Sequence, residues 1–218
     1  MVAVCPTVTA STVEEYKFQL ERVSRFAPRL HLDLSDGVFS PTKLVDANDL
    51  WWADDKIIDI HVMLKKPELI LDHLISLKPS LVILHAESQG NFYDMAKKLQ
   101  DNDIKVGLAL LQPTEVRDIA QVFDVLDHIL IFGGKLGSFG GQVDPKLFRK
   151  VAEVRKLKHD IEIGWDGGIN DDNARDLIEI GVHVLNVGGY IQRSCEPQSA
   201  YDTLVTIADN AGAAPNLK

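Results

Sequence analysis

Short apolar segments rich in β-branched residues alternate with helix-like segments along the whole chain, and no other feature of the sequence restricts the fold as strongly. Strands connected through helices form a parallel sheet, because each helix returns the chain to the edge at which the previous strand began. About eight such units in 218 residues predict an α/β fold, a single closed (β/α)₈ TIM barrel, with a doubly wound open sheet as the alternative. The predicted strands are 2–5, 30–34, 57–63, 81–84, 105–110, 128–132, 161–164 and 182–187.

The connecting helices are predicted from apolar periodicity and from residues that favour a helix start. Pro67 and Pro145 each stand at a first helical position, where proline's missing amide hydrogen is not needed. We expect residues 1–218 to form one domain, because no linker or low-complexity segment interrupts the pattern. The predicted helices are 13–26, 67–77, 92–100, 115–123, 145–156, 173–180 and 198–208.

Composition excludes several classes of protein. The net charge of −9 argues against a nucleic-acid partner, which would need a basic surface. The N-terminus lacks the features of a signal peptide and no apolar run reaches the length of a membrane span, so we expect a cytoplasmic protein with no membrane partner. Cys5 and Cys195 lack the spacing of a metal or disulfide motif.

Side chains that bind metals and transfer protons stand at the ends of three predicted strands. His31 and Asp33 close the second strand, His61 closes the third, and Asp166 follows the seventh. Alternate residues of a strand point to the same face, and the carboxyl ends of barrel strands meet at one mouth. Two imidazoles and two carboxylates that converge there could hold a divalent cation while the carboxylates transfer protons.

Each of these residues alone also has an ordinary structural explanation. A histidine at a strand end is often hydrogen-bonded within the fold, and an aspartate before two glycines is a common turn signal. The shared strand-end position of all four residues favours the functional interpretation. We interpret His85, after the fourth predicted strand, as structural rather than as a ligand.

Glycine-rich loops follow three of the later strands. Residues 133–141 contain five glycines, and glycine pairs follow the seventh and eighth strands, where barrels of this kind bind phosphate. Backbone N–H groups in such loops can approach an anion closely, although a flexible turn is the alternative interpretation. The glycines concerned are Gly140, Gly141, Gly167, Gly168, Gly188 and Gly189.

Six segments, in order between about Pro6 and Pro197, resemble the ribulose-phosphate 3-epimerase family. Residues 31–41 (HLDLSDGVFSP) resemble its His-x-Asp-x-Met-Asp-Gly-x-Phe-x-Pro motif, and residues 59–63 (DIHVM) resemble its Asp-x-His-Leu-Met motif. The other four segments are 85–87 (HAE), 107–110 (GLAL), 139–142 (FGGQ) and 166–170 (DGGIN).

The resemblance implies a TIM barrel of the ribulose-phosphate-binding type and a metal-dependent epimerase that inverts C3 of D-ribulose 5-phosphate to give D-xylulose 5-phosphate. Its divalent ion (Zn, Fe, Mn or Co) would be held by His31, Asp33, His61 and Asp166. Asp33 and Asp166 would also be the acid/base pair, working through an enediolate. The family further implies a homo-oligomer. The implied substrate-binding residues are Thr7, Met63, Gly140, Gly141, Gly167, Gly168, Gly188 and Gly189.

The chain departs from the family pattern close to these residues. Ser35 and Gly133 stand where the family has methionines, so with Met63 alone remaining we expect a more open and wetter pocket. Two alternatives therefore stay open. One is an epimerase of another ketose phosphate, such as a six-carbon one, and the other is a non-catalytic phosphate-binding barrel with a structural metal.

Overall fold

Eight parallel strands close into a barrel in the computed structural model, which describes residues 2–212. The strands in chain order are β1 (Ala3–Val8), β2 (Arg29–Ser35), β3 (Ile57–Met63), β4 (Leu81–His85), β5 (Lys105–Leu110), β6 (His128–Phe132), β7 (Gly134–Lys135), β8 (Ser138–Gly141), β9 (Glu162–Asp166) and β10 (Val184–Val187). The short strands β7 and β8 form a separate antiparallel hairpin, and the other eight follow the order β1-β10-β9-β6-β5-β4-β3-β2. The closed barrel is thus confirmed, and the doubly wound open sheet is wrong.

Helices fill the connections, and side-chain caps fix the first turns of α1 and α3. Thr12 accepts a hydrogen bond from the backbone N–H of Glu15, and Asn91 accepts one from Tyr93. The α-helices are α1 (Val13–Ser24), α2 (Leu71–Leu77), α3 (Phe92–Gln100), α4 (Phe148–Leu157), α5 (Ala174–Glu179), α6 (Gly189–Gln192) and α7 (Pro197–Gly212). Four 3₁₀ helices cover Ala47–Asp49, Pro67–Leu69, Val116–Val125 and Pro145–Leu147.

Some segments differ from their predicted form. The helix expected at 115–123 is the 3₁₀ helix Val116–Val125, and the helix expected at 67–77 is divided at Ile70, whose φ of −114° is not helical. Strand β1 continues past Cys5 to Val8 because its last residues pair with β2, with Thr7 opposite His31. This extension places Thr7 inside a strand, beside one of the candidate metal ligands.

The barrel interior and the layer between barrel and helices form two separate apolar clusters. Leu81, Ile83, Ala109 and Leu130 form the smaller one, and fully buried Trp165 belongs to the larger. The Trp165 ring packs edge-on against Phe148 of α4, 5.7 Å away between ring centroids. Each fully buried aliphatic side chain contributes about 1.5–3 kcal/mol, so this layered burial supplies the main driving force for folding.

Charged side chains close the barrel at the amino ends of its strands. Arg29 donates to Asp59 at 2.8 Å and forms a two-pronged ion pair with Glu162, whose oxygens lie 2.8 and 2.9 Å away. His128 Nδ1 lies 2.7 Å from Glu162 Oε2. Burial acts to raise the pKa of Glu162, but the hydrogen bonds from Arg29 and His128 outweigh it and hold that pKa well below its usual range.

None of the helices among residues 2–212 combines the length and the apolar character needed to cross a bilayer. That residues 1–218 form a single domain stays a prediction.

We predict that Glu162→Gln lowers the free energy of unfolding by about 1–2 kcal/mol at pH 7, because Arg29 loses a charged partner that is itself partly exposed and screened. A carboxyl whose pKa is depressed on folding stabilises the fold above its unfolded pKa, near 4.5, and loses that contribution as the pH falls toward the folded value. Urea denaturation at pH 7 and pH 3 should therefore show a smaller gap between the two proteins at pH 3. The exposed pair variant Glu153→Gln is the control, and a gap unchanged between the two pH values would contradict the prediction.

Candidate active site

Four side chains at the carboxyl end of the barrel meet in one place. His31 and Asp33 come from β2, His61 from β3 and Asp166 from the end of β9, and one ligand atom of each lies within 4.8 Å of all the others. The register explains the convergence, since Asp33 pairs directly with His61 across β2 and β3. Side chains two apart on one strand share a face, which brings His31 to the same side as Asp33.

Within this cluster His61 lies at hydrogen-bond distance from Asp33, whereas His31 has no good hydrogen bond in the described part of the chain. His61 Nδ1 lies 2.9 Å from Asp33 Oδ1, and His31 Nε2 lies 3.4 Å from the same oxygen and 3.7 Å from Asp166 Oδ2. At that distance His31 is near the carboxylates without a good hydrogen bond, and neither of its ring nitrogens has another partner among the described residues. A fully buried imidazole aimed at two carboxylates fits a divalent cation, which would take one lone pair from each of the four groups.

The surroundings of Asp33 and Asp166 shift the pKa values of these two carboxyl groups in opposite directions. Burial acts to raise the pKa of Asp33, but the neighbouring imidazoles of His31 and His61 hold it well below its usual range. Burial and the charge of Asp33 together raise the pKa of Asp166 to about 7. Without a bound cation, Asp33 is therefore a carboxylate and Asp166 is partly protonated near neutral pH, and these are the two states that a two-sided proton transfer uses.

A cavity of about 250 Å³ opens above the cluster. Asp33 and Asp166 reach its surface, whereas His31 and His61 are fully buried beneath it. All of the predicted substrate-binding residues border this cavity, namely Thr7, Met63, Gly140, Gly141, Gly167, Gly168, Gly188 and Gly189. Their roles stay predictions, but the geometry brings the whole set together.

Close packing requires glycine at some positions in the cavity wall, whereas a Cβ on Gly140 would meet nothing within 4 Å. A Cβ atom on Gly167 would lie 2.2 Å from the backbone nitrogen of Gly134, and one on Gly188 would lie 2.4 Å from the Phe139 ring. Gly167 also has a φ of +109°, which other residues rarely adopt. The hairpin β7–β8 thus rests directly on the loops after β9 and β10, and the flexible-turn interpretation does not account for these glycines.

An aromatic side chain lies beside the cluster, where the family would place methionines at the positions of Ser35 and Gly133. Phe132 lines the cavity, and its ring centroid lies 5.7 Å from that of His61. Ser35 is buried and donates a hydrogen bond to the carbonyl of Thr42 at 2.8 Å, so it holds the loop after β2. The apolar cover over the cluster therefore comes from Phe132 and Met63.

Four further residues at the cavity were missed by the sequence analysis. Thr9 donates a hydrogen bond to Asp33 Oδ2 at 2.5 Å, and its position two residues after Thr7, just past the end of β1, could have signalled the shared face. Asn186 is a polar residue in an otherwise apolar strand, two residues before Gly188. Lys135 and Arg193 border the cavity from positions that local periodicity does not connect with it.

Asn186 is buried, with 1% of its surface exposed, and neither its amide nitrogen nor its amide oxygen has a partner among the described residues. We predict that Asn186→Leu, which keeps the shape and removes the polar atoms, raises the melting temperature by about 2–4 °C. Asn102→Leu, at an exposed turn, is the control. A lower melting temperature for Asn186→Leu in calorimetry would show that the amide is satisfied within the fold.

Comparisons of the sequence with a family profile and with individual proteins lead to the same family. The chain matches the sequence profile of the Ribulose-phosphate 3 epimerase family over residues 3–192. It is 24% identical over 209 residues to the ribulose-phosphate 3-epimerase of Bacillus subtilis (strain 168), a match that covers 92% of this chain and 96% of that protein. It is 28% identical over 198 residues to the ribulose-phosphate 3-epimerase of Mycobacterium leprae (strain TN), with 87% of each chain covered.

Solved structures share the fold at lower identity. 3-Hexulose-6-phosphate synthase from Salmonella typhimurium superposes with a TM-score of 0.73 at 12% identity, covering 96% of this chain and 99% of that chain. KGPDC from Streptococcus mutans superposes with a TM-score of 0.75 at 9% identity, covering 97% and 99%. These two likenesses concern the barrel alone. Because the profile match spans most of the sequence, the chain belongs to the ribulose-phosphate 3-epimerase family, a family of isomerases.

Proposed function

We propose that this protein is a metal-dependent epimerase that inverts C3 of D-ribulose 5-phosphate to give D-xylulose 5-phosphate. The observation that carries the proposal is the pair of carboxyl groups, Asp33 and Asp166, at the floor of a cavity with two imidazoles directly beneath them. Family membership supports a ketose phosphate as the class of substrate.

His31, Asp33, His61 and Asp166 would hold the cation. Imidazole and carboxylate ligands together suit Zn and Fe, and also Mn and Co. When bound, the cation supplies a Lewis acid for the negative charge that develops on the substrate oxygens at C2 and C3.

The two aspartates would carry the protons. The carboxylate on one side of the substrate removes the proton from C3, and the resulting enediolate then receives a proton on the opposite face from the carboxylic acid of the other aspartate. Each aspartate ends in the protonation state from which its partner started, so the reverse reaction uses the same pair. The hydrogen bond that Thr9 donates to Asp33 orients that carboxylate and leaves its other oxygen toward the cluster.

The other end of the cavity suits the phosphate. The glycine pairs would offer backbone N–H groups to the phosphate, and Thr7 and Met63 would border the sugar. All of these residues line the cavity, the glycines being Gly140, Gly141, Gly167, Gly168, Gly188 and Gly189. Lys135 and Arg193 lie in the same wall, and neither has a carboxylate within 4 Å among residues 2–212. Two unpaired cations at this rim of an acidic protein would attract a dianionic ligand. Cytoplasmic location and self-association stay predictions.

The ligand set is tested by metal content. We predict that the wild-type protein binds one divalent cation per chain and that His61→Ala lowers metal content sharply, because one of four ligands is lost. His73→Ala, on α2 outside the cluster, is the matched control. Full occupancy of His61→Ala in elemental analysis would overturn the assignment.

The reaction is tested by isotope exchange. In D₂O, D-ribulose 5-phosphate should acquire deuterium at C3, and free ribulose should react far more slowly because it lacks the phosphate. Asp33→Asn and Asp166→Asn should each reduce exchange by about 10²–10⁴-fold, since an amide cannot transfer the proton, and Asp101→Asn should not. Metal content is measured in the same samples.

The substrates that exchange decide between the proposal and its alternatives. Exchange with a six-carbon ketose phosphate and none with D-ribulose 5-phosphate would favour the alternative that the protein is an epimerase of another ketose phosphate. A metal-loaded protein that exchanges no ketose phosphate would favour the non-catalytic binding barrel.

A further inference from the structure

A series of close contacts runs from His61, in the candidate metal site, through His85 to Glu87. His61 Nε2 lies 2.8 Å from His85 Nε2, and His85 Nδ1 lies 3.2 Å from Glu87 Oε2. Both imidazoles are buried at the carboxyl ends of neighbouring strands, β3 and β4. The only ring nitrogen of His61 that faces the carboxylates of the cluster is therefore Nδ1.

Glu87 is held in a fixed orientation. Its Oε1 accepts hydrogen bonds from the backbone N–H of Leu111, at 3.0 Å, and from the Thr114 hydroxyl. The loop that carries these donors is fixed in turn by the buried ammonium group of Lys150, which donates to the carbonyls of Leu111, Gln112 and Thr114 at 2.8, 2.9 and 2.7 Å. Because Oε1 is occupied by two donors, only Oε2 is available to His85.

The two imidazole rings are held between aromatic side chains. The Phe39 ring centroid lies 4.7 Å from that of His85, and Phe132 lies 6.1 Å from His85 and 5.7 Å from His61. Packing of this kind restricts rotation of the rings, so the direction of each hydrogen bond is decided by which nitrogen carries the proton.

We infer that Glu87, acting through His85, selects the tautomer of His61 whose Nδ1 carries a free lone pair for the cation, which makes Glu87 and His85 positioning residues of the proposed metal site. The inference rests on the proposed function only for the presence of the cation.

The direction of the hydrogen bonds follows from Glu87. A carboxylate can only accept, so a neutral His85 donates Nδ1–H to Glu87 and offers the lone pair of Nε2 to His61. With a cation in the cluster, His61 then donates its Nε2–H to His85 and keeps Nδ1 unprotonated. Without the cation, the 2.9 Å contact of Nδ1 with Asp33 Oδ1 opposes this tautomer, because a lone pair would face a carboxylate. The opposite tautomer would direct Nδ1–H at Asp33, block the ligand nitrogen and place the lone pair of His85 Nδ1 against the Glu87 carboxylate.

Glu87→Gln reverses this line of hydrogen bonds. The donors at Leu111 and Thr114 retain the amide oxygen, so the amide NH₂ faces His85 and donates to it. His85 then donates Nε2–H to His61, and the proton of His61 moves to Nδ1. Glu87→Ala removes both acceptor and donor and leaves either tautomer accessible. Selection of a tautomer therefore makes Gln the worse substitution, whereas a packing role would make Ala worse.

The experiment measures zinc affinity by chelator competition for wild type, Glu87→Gln, Glu87→Ala and the exposed control Glu179→Gln. We expect Glu87→Gln to bind zinc about 10- to 100-fold more weakly than wild type, Glu87→Ala to lie between them and the control to match wild type. In parallel, ¹⁵N NMR of histidine-labelled, metal-free protein should show the Nε2–H tautomer of His61 less populated in Glu87→Gln than in wild type.

Equal zinc affinity and an unchanged tautomer in Glu87→Gln would overturn the inference while leaving the proposed metal site intact. An Ala variant weaker than the Gln variant would also overturn it, in favour of packing. If wild type binds no zinc, the proposed metal site fails, and the NMR comparison alone decides whether Glu87 selects the tautomer.

Discussion

The burial of two carboxyl groups against two imidazoles is the constraint on which the functional end of this barrel depends. Burial and the negative charge of Asp33 raise the pKa of Asp166, whereas the imidazoles of His31 and His61 hold the pKa of Asp33 low. The surrounding groups all serve this arrangement. Thr9 donates to Asp33, the imidazoles of His31 and His61 offset its charge, and the lone pairs that remain are those a divalent cation would use.

The two ends of the barrel differ, since one carries an ion cluster that stabilises the fold and the other carries the candidate active site. At the amino ends of the strands, Arg29, Glu162 and their neighbours form a hydrogen-bonded ion cluster in which almost every charge has a partner. At the carboxyl ends, the buried atoms of His31 and Asn186 have no protein partner among the described residues. Buried atoms of Asp59 and His128, at the amino ends, also lack a partner within residues 2–212, so a missing partner alone does not mark a binding site. Asn186 differs from those two residues because it borders the cavity, where a ligand could meet its amide.

The departures from the family pattern change which side chains surround the cluster, and the expectation of a wetter pocket stays a prediction. Ser35 now stabilises the loop after β2 through hydrogen bonds, and Phe132 contributes the apolar surface beside His61. The hairpin β7–β8 lies so close to the loops after β9 and β10 that glycine is needed at Gly167 and Gly188. The shape of this end of the cavity is therefore set by the close contacts of its glycines, and the positively charged side chains of Lys135 and Arg193 border it.

The sequence by itself determined the barrel, because alternating strands and helices of this number have few ways to bury their apolar faces. It also placed His31, Asp33, His61 and Asp166 at one mouth, because strand periodicity and parallel order together fix which residues reach that end. Only the tertiary structure decided how these residues are supported. The contacts of His61 with His85, of Glu87 with Thr114 and of Thr9 with Asp33 depend on register between strands and on loop conformation. Those properties arise from packing between distant segments, which the periodicity of any one segment does not contain.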